Sequence, residues 1–310
     1  GALNTVSVRL DNQDNPITGP KPLVDLDFNL YGGLYRGASL TIKDPLHITD
    51  AILADKVASG GVFVTFPVVG PRQACVQVQT HVRNAGATPR DFILRTTLLT
   101  PDGRTLATSS TPPQRLEWGA DTELVHDFDV AQPRLWSPRS PSLYQVRSEI
   151  LDNGKPIDTE HTRIGIRRIQ VDQDGLRING ERLFLRGANR HHEYPYIGNA
   201  LSDADQYRDA VKIKEAGFDY VRLSHYPQSP AFLDACDELG LVVMEPILGW
   251  QYMGKDPAFS ELKLQECRQM VRRDRNHPSV MLWEVSLNES QMPKRFIEEA
   301  HRITHQEYPG

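Results

Sequence analysis

The sequence predicts two kinds of architecture in succession, an antiparallel β-sandwich followed by a parallel sheet covered by helices. About seven short stretches with alternating apolar residues occupy 51–165 and are separated by turn signals, which is typical of an immunoglobulin-like sandwich. After about residue 176, strand and helix patterns alternate in four consecutive βα units, which is typical of a parallel sheet.

Composition narrows the classes of partner. The chain has 310 residues, and its 35 Lys and Arg against 40 Asp and Glu give a net charge of −5. A mildly acidic chain lacks the basic surface that nucleic acids and anionic membranes attract. No apolar run reaches the roughly 18 residues of a spanning helix. Three scattered cysteines form neither a disulfide framework nor a thiolate metal site. We therefore expect no nucleic acid and no membrane as a partner.

Period-two alternation locates the predicted strands of the first half of the chain. Val6, Val8 and Leu10 alternate with polar residues, and residues 26–28 and 38–42 repeat the pattern, so we expect short strands within 1–50. Five of the sandwich strands are expected at 62–66, 76–82, 92–99, 123–130 and 143–150. The chain has no Cys…Trp…Cys pattern, which excludes an antibody-type sandwich.

Start and stop signals define the βα units of the second half. Ser202 and Asp205 form a capping box, and Gly217 ends the helix that they begin. The predicted strands are 182–188, 218–224, 241–245 and 280–285, and the predicted helices are 202–216, 230–239, 256–275 and 293–306. Four units are compatible with an open doubly wound sheet or with half of a (β/α)8 barrel. No Gly-x-Gly-x-x-Gly follows the first strand, which argues against a nucleotide site.

Polar, ionisable residues follow all four predicted strands at their carboxyl ends, where parallel barrels build their active sites. These candidates are Asn189 and His191, then His225, then Glu245, and finally Asn288 with Glu289. A carboxyl group held among apolar walls favours its acid form, as general-acid catalysis requires. Each of these residues alone could also be a helix cap or a surface side chain.

Three candidates have specific alternatives. Glu245 could be structural and paired with an arginine such as Arg222, since a lone buried charge is costly. Convergence of His191, His225 and Glu245 on a metal is disfavoured, because barrel metal sites usually take two histidines that are two residues apart on one strand. Trp250 could stack on a sugar ring or pack at the rim of the barrel.

Three motifs resemble glycoside hydrolase family 2, which contains β-galactosidases, β-glucuronidases and β-mannosidases. Residues 186–191 read Arg-Gly-Ala-Asn-Arg-His, and 221–227 read Val-Arg-Leu-Ser-His-Tyr-Pro. Residues 273–280 read Arg-Asp-Arg-Asn-His-Pro-Ser-Val and precede Asn288-Glu289. Residues 27–36 resemble the last strands of the family's jelly-roll domain, and 135–144 resemble the end of its immunoglobulin-like domain.

The resemblance implies a retaining mechanism with two carboxylates. It makes Glu289 the acid/base and Asn288 the residue that binds the sugar 2-hydroxyl. His191, His225, Asn189 and Glu245 would complete the family's substrate site, and Trp250 is expected beside them as a stacking surface. The nucleophilic glutamate of the family lies on the seventh barrel strand, and we expect it outside this chain. Large galactosidases carry Glu-x-His where this sequence has Gly-Trp-Gln at 249–251, so we expect no metal and no other cofactor.

The sequence therefore predicts a multidomain β plus α/β chain. We expect the last strands of a jelly-roll domain at 1–48, an immunoglobulin-like β-sandwich at 49–168 and the first half of a (β/α)8 TIM barrel at 169–310. The expected function is that of a β-glycosidase of the β-galactosidase type, inactive as this chain alone. The alternatives are a β-glucuronidase and a non-catalytic carbohydrate-binding fragment. A carbohydrate is the expected partner, with homo-oligomers possible, and the resemblance slightly favours an exported protein.

Overall fold

The computed structural model describes residues 5–13, 15–19 and 26–309, and two antiparallel sheets form its first folded part. In one sheet β3 pairs with β7 along one edge and with β2 and β1 along the other. The other sheet has the order β5-β4-β8-β9, with β6 beside β4. The strands are β1 (Leu46–Ile48), β2 (Val62–Val69), β3 (Gln73–Asn84), β4 (Arg90–Leu99), β5 (Thr105–Ser110), β6 (Gln114–Leu116), β7 (Asp121–Ala131), β8 (Tyr144–Asp152) and β9 (Lys155–Ile164).

The sandwich core confirms the predicted alternation. Each of the five expected strands overlaps an observed one, and every second residue of β3 from Ala74 to Val82 is buried. Apolar side chains from both sheets, such as Leu94, Leu98, Phe128 and Ile150, form one cluster. Burial of this face supplies the main stabilisation of the sandwich.

The predicted strands near the N-terminus are not found. The described residues between 5 and 44 contain no strand, and Val6 and Ile42 are 79% and 87% exposed. Alternation produces a strand only where a neighbouring strand accepts and donates the backbone hydrogen bonds, and none pairs with these residues. Strand β1 does form, but it pairs with β3 and so belongs to the sandwich rather than to a separate domain ending at residue 48. Residues 1–4, 14, 20–25 and 310 lie outside the described residues.

A three-stranded antiparallel sheet joins the sandwich to the parallel sheet. Its presence changes the bounds of the strand predicted at 182–188. Its strands are β10 (Ile169–Asp172), β11 (Gly175–Ile178) and β12 (Glu181–Arg182). Asn179 and Gly180 have φ values of 53° and 86°, as a two-residue type I′ turn requires. The predicted strand 182–188 is therefore divided, because its first residue pairs with β11 while the barrel strand begins at Gly187.

The second half forms a four-stranded parallel sheet in sequential order, β13-β14-β15-β16. A doubly wound sheet reverses its strand order partway, so the order is that of a barrel segment. The Ser202–Asp205 capping box is present. The elements are β13 (Gly187–Arg190), α1 (Asp203–Glu215), β14 (Tyr220–Leu223), α2 (Pro230–Leu239), β15 (Val242–Pro246), α3 (Pro257–Asp274), β16 (Val280–Glu284) and α4 (Lys294–Glu307). None of the described helices is long and apolar enough to span a bilayer.

The two faces of the parallel sheet differ in chemistry. Val221, Leu223 and Val243 lie on the face toward the helices and pack with Phe232 and Leu233 of α2. Residues of the opposite parity, such as Tyr220 and Arg222, lie on the other face, which is the inner face of a barrel.

Residues 273–279 hold the sandwich against the barrel. Asn276 accepts a 3.0 Å hydrogen bond from the amide of Val64 and donates a 2.8 Å bond to the carbonyl of Val62. Trp136 donates its indole N–H to the carbonyl oxygen of Asp237 at 2.8 Å. A Cβ at Gly165 would lie 2.7 Å from Cβ atoms of Trp136 and Pro278, so only glycine allows this approach. A motif that carried the family resemblance thus serves domain docking.

Candidate active site

Backbone hydrogen bonds bring the three segments that follow β14, β15 and β16 to one edge of the sheet. The amide of Gly249 donates to the carbonyl of His225 at 3.1 Å, and the amide of Asn288 donates to the carbonyl of Gly249 at 3.1 Å. The amide of Gln251 returns a 2.8 Å bond to the carbonyl of Asn288. Residues from three separate predicted strand ends therefore lie side by side, as expected for parallel strands.

Arg222, Glu284 and Asn288 form an ordered polar cluster on the inner face. The guanidinium of Arg222 grips both carboxylate oxygens of Glu284, with Nε 2.7 Å from Oε2 and Nη2 on Oε1. Nη2 also donates to Oδ1 of Asn288 at 2.9 Å. Bidentate pairs of this kind are both strong and geometrically specific. Asn288 thus has one fixed amide orientation.

Glu289 lies exposed next to this cluster. Its backbone has a φ of 51°, a conformation that few non-glycine residues adopt outside turns and functional sites. Gln251 donates a 2.7 Å hydrogen bond from Nε2 to Oε2 of Glu289. The apolar walls that the sequence suggested around this carboxyl group are not observed, because Glu289 is exposed.

His191 and His225 meet across the site. Their rings are 5.5 Å apart and nearly perpendicular, at 83°. Burial lowers the pKa of both imidazoles from the usual value, and Arg222 and His191 lower that of His225 further, whereas Asp27 opposes the shift in each case. Two neutral imidazoles can each donate one hydrogen bond and accept another, which suits sugar hydroxyls.

Phe28 closes the aromatic side of the site and was not among the residues expected there. Its ring is 5.7 Å from Tyr226 and 6.0 Å from Trp250, and all three are 7% exposed. The segment that carries it is tied down by Asn29, which donates to Glu193 at 2.9 Å, and by Arg36, which donates to the carbonyl of Pro227 at 3.3 Å. The alternation at 26–28 predicts that the side chain of Phe28 is buried. It does not show which residues Phe28 packs against.

Trp250 and Asn189 occupy different surroundings. Trp250 meets the Phe28 ring edge-on at 70°, so its indole is covered by protein and packs at the rim of the barrel. Asn189 is exposed on β13, in register with Arg222 and hence on the same inner face.

Glu245 lies elsewhere, which corrects its expected role in binding substrate. It is in register with Trp283 on the face toward the helices, is fully buried and accepts a 2.9 Å hydrogen bond from Arg273 of α3. Burial, and then the neighbouring Asp274, raise the pKa of Glu245 well above its usual value, against the effect of Arg273. The partner of Arg222 is Glu284 instead. Strand parity could have shown this, because Glu245 follows Val243 on the helix-facing side.

One group of described residues brings potential metal ligands together, and it is not at this site. Asp234, Asp237 and His277 lie within reach of one ion. Protein groups already use these atoms, since Asp237 accepts from the amide of Ser279 at 2.9 Å and lies 2.6 Å from Nδ1 of His277. Arg163 pairs with Asp234. The cluster belongs to the junction between sandwich and barrel. Glu245, which contacts Arg273 of α3, is not part of it.

Two family models match the chain in tandem. Residues 59–167 match the model described as glycosyl hydrolases family 2, and 169–306 match the family 2 TIM barrel domain. A β-galactosidase of Thermoanaerobacter pseudethanolicus is 33% identical over 97% of this chain and 38% of its own length. A β-glucuronidase of Bacteroides fragilis is 32% identical over 100% of this chain and 45% of its own length.

Solved structures agree in fold. A β-glucuronidase from Bacteroides uniformis superimposes with a TM-score of 0.84 at 28% identity, over 96% of this chain and 37% of that one. A family 2 member from Bacteroides cellulosilyticus gives 0.75 at 33% identity, over 84% and 35%. The chain thus spans less than half the length of these relatives. Both family models match, and the β-galactosidase and β-glucuronidase relatives are similar over nearly the whole chain. The chain therefore belongs to glycoside hydrolase family 2.

Proposed function

We propose that the protein carrying this chain is a retaining β-glycosidase that removes terminal β-linked sugars, with β-galactosides as substrates and Glu289 as acid/base. The observation that carries the proposal is the placement of Asn288 and Glu289 at the carboxyl end of β16, beside His225 and Gly249 of the two preceding strand ends. Relatives named as β-galactosidases and β-glucuronidases support the reaction class.

Glu289 would act twice. As an acid it protonates the glycosidic oxygen while that bond breaks, and as a base it then removes a proton from the water that releases the sugar. Asn288 binds the sugar beside the reacting carbon, and His191 and His225 bind its other hydroxyls. The two imidazoles are expected to be neutral at neutral pH, because burial disfavours imidazolium here.

The second carboxylate of the double displacement must stand about 5.5 Å from the first. We assign it to a part of the barrel other than the four described strands, since a (β/α)8 barrel has about twice that number. This chain supplies the acid/base side of the site and the sugar-binding histidines.

Charge favours a neutral sugar over a uronate. Arg222 already pairs with Glu284, so its charge is balanced. Asp27 and Glu289 add acidic groups near His191 and Arg222, respectively. The carboxylate of a glucuronide would meet like charges in the described part of the site, whereas a galactoside would not.

The test compares turnover of alkyl and 4-nitrophenyl β-galactosides by the full-length protein and its Glu289→Gln variant. We expect kcat to fall by about 10³-fold on the alkyl substrate, whose leaving group needs protonation, and by less on the nitrophenyl substrate. The first product detected by NMR should be the β-anomer, as retention requires.

Glu298→Gln is the matched control, because Glu298 is an exposed glutamate on α4, and it should leave turnover unchanged. Equal losses on both substrates would remove Glu289 from the acid/base role. Binding of galactosides without turnover would indicate a carbohydrate-binding protein, and faster turnover of β-glucuronides would reassign the substrate.

A further inference from the structure

The carboxylate of Glu284 is fully engaged within the site. Both of its oxygens accept from Arg222, and the two side chains are 12% and 17% exposed. The contact that the structure shows for each oxygen of Glu284 is the one with Arg222. The influence of Glu284 that this geometry supports therefore passes through Arg222.

Arg222 in turn sets the orientation of the side-chain amide of Asn288. A guanidinium only donates hydrogen bonds, so the atom of Asn288 at 2.9 Å from Nη2 is its oxygen. The amide nitrogen then points away from Arg222 and presents its two N–H groups on the other side. A side-chain amide that lost this contact could rotate by half a turn and present an acceptor instead.

Glu284 fixes the position of Arg222 for this task. Without that carboxylate, Arg222 would be a half-buried cation with a long, flexible side chain, and such a cation turns toward other acceptors. The bidentate grip uses Nε and Nη2 together, so it sets the plane of the guanidinium as well as its location.

We propose that Glu284 is a positioning residue that, through Arg222, holds Asn288 with its N–H groups toward the hydroxyl at C2 of the sugar. The proposal rests on the proposed function, and it assigns to Glu284 a role in catalysis without contact with substrate. Donation from Asn288 to the 2-hydroxyl would strengthen as charge develops at the neighbouring carbon.

The experiment measures kcat/KM of the full-length protein on a 4-nitrophenyl β-galactoside and on its 2-deoxy counterpart. We expect Glu284→Ala and Asn288→Ala each to lower kcat/KM on the galactoside by about 10²-fold, the size of a misplacement effect. On the 2-deoxy substrate both should stay within about threefold of the wild type, because the contact has no partner there. The double variant should be no slower than Asn288→Ala, since both changes remove one contact.

Glu149 offers a matched control. It accepts a bidentate pair from Arg95 at 3.0 Å on neighbouring sandwich strands, away from the site. Glu149→Gln should leave both rates unchanged. Glu284→Gln keeps one acceptor for Arg222 and replaces Glu284→Ala if that variant does not fold. It should lower kcat/KM on the galactoside by less than Glu284→Ala does, and again leave the 2-deoxy substrate little affected.

Equal losses on both substrates, no loss at all, or additive losses in the double variant would each overturn the proposal. If Glu289→Gln abolishes activity while the Glu284 variants behave like Glu149→Gln, only the role of Glu284 is refuted. If the wild type turns over neither this galactoside nor the corresponding β-glucuronide, the glycosidase function fails and this proposal fails with it.

Discussion

The ring of Phe28 lies 5.1 Å from the imidazole of His191, although one belongs to the N-terminal segment and the other follows the first barrel strand. The same ring is 6.0 Å from His225. Phe28 therefore contacts both histidines that we assign to sugar binding, and the N-terminal segment forms one wall of the site.

Replacement of Phe28 should weaken substrate binding. Phe28→Ala removes the surface against which His191 and His225 rest, so we expect KM to rise by about tenfold, or about 1.4 kcal/mol, with a smaller change in kcat. Steady-state kinetics of the full-length protein measure both. Phe184→Ala is the control, since Phe184 is 80% exposed. An unchanged KM for Phe28→Ala would contradict the assignment of this wall.

Gln251 should influence the turnover of substrates that need acid catalysis. Its amide donates a 2.7 Å hydrogen bond to Oε2 of Glu289 and so holds that carboxyl group in place. Gln251→Ala should lower kcat on the alkyl β-galactoside by about tenfold and by less on the 4-nitrophenyl substrate, whose leaving group needs little protonation. Gln265→Ala, at an exposed position of α3, serves as control. Equal losses on both substrates, or no loss on either, would refute this contact in the active enzyme.

His192 should make the fold sensitive to acid. It is 2% exposed, and burial, with help from Arg36 and Arg190, lowers its pKa to about 3. An unfolded chain binds the proton near pH 6.5, so the unfolded state takes up protons first and stability falls as the pH decreases from about 6.5 toward 3. Between pH 7 and pH 5, protonation of this group in the unfolded state should lower the free energy of unfolding by about 2 kcal/mol.

Urea unfolding of the wild type and His192→Gln at both pH values checks this. The variant should lose about 2 kcal/mol less between pH 7 and pH 5 than the wild type loses. His161→Gln, a change at an exposed position of β9, should behave as the wild type does. An identical acid loss in His192→Gln would show that the proton is bound elsewhere.

Asn276 should contribute to stability rather than to turnover. Asn276→Ala leaves the amide of Val64 and the carbonyl of Val62 without this partner, which we expect to cost about 2 kcal/mol of unfolding free energy. Asn276→Asp keeps the acceptor for Val64 but faces an oxygen toward the Val62 carbonyl, so it should also destabilise. Unfolding midpoints measure both variants, and a midpoint equal to that of the wild type for both would refute the docking role.

The sequence predicted the second half of the fold well because its signals are local. Helix α2 was expected at 230–239 and is observed there, where Pro230 can only begin a helix and Gly240 ends it with a φ of 71°. The strands at 26–28 and 38–42 failed because pairing depends on a partner that alternation does not reveal.

The site was predicted in part. Strand-end logic brought His191, His225, Asn288 and Glu289 to one edge, and the family resemblance ranked them. Reasoning from strand ends did not predict Glu284, because that residue lies within strand β16. It did not predict Phe28 either, because Phe28 belongs to a segment that is distant in the sequence. It misplaced Glu245 because a strand end alone does not tell which face a side chain takes, whereas strand parity does.

The contact between Asn276 and β2 also bears on how the protein behaves at high concentration. The N–H of Val64 and the C=O of Val62 belong to the edge strand β2 and point away from β3. Unpaired groups of this kind can form hydrogen bonds with a strand of another molecule. A single asparagine from the barrel occupies both. Docking of the two domains thereby shields part of an aggregation-prone margin, and a protein whose barrel opened first would expose it.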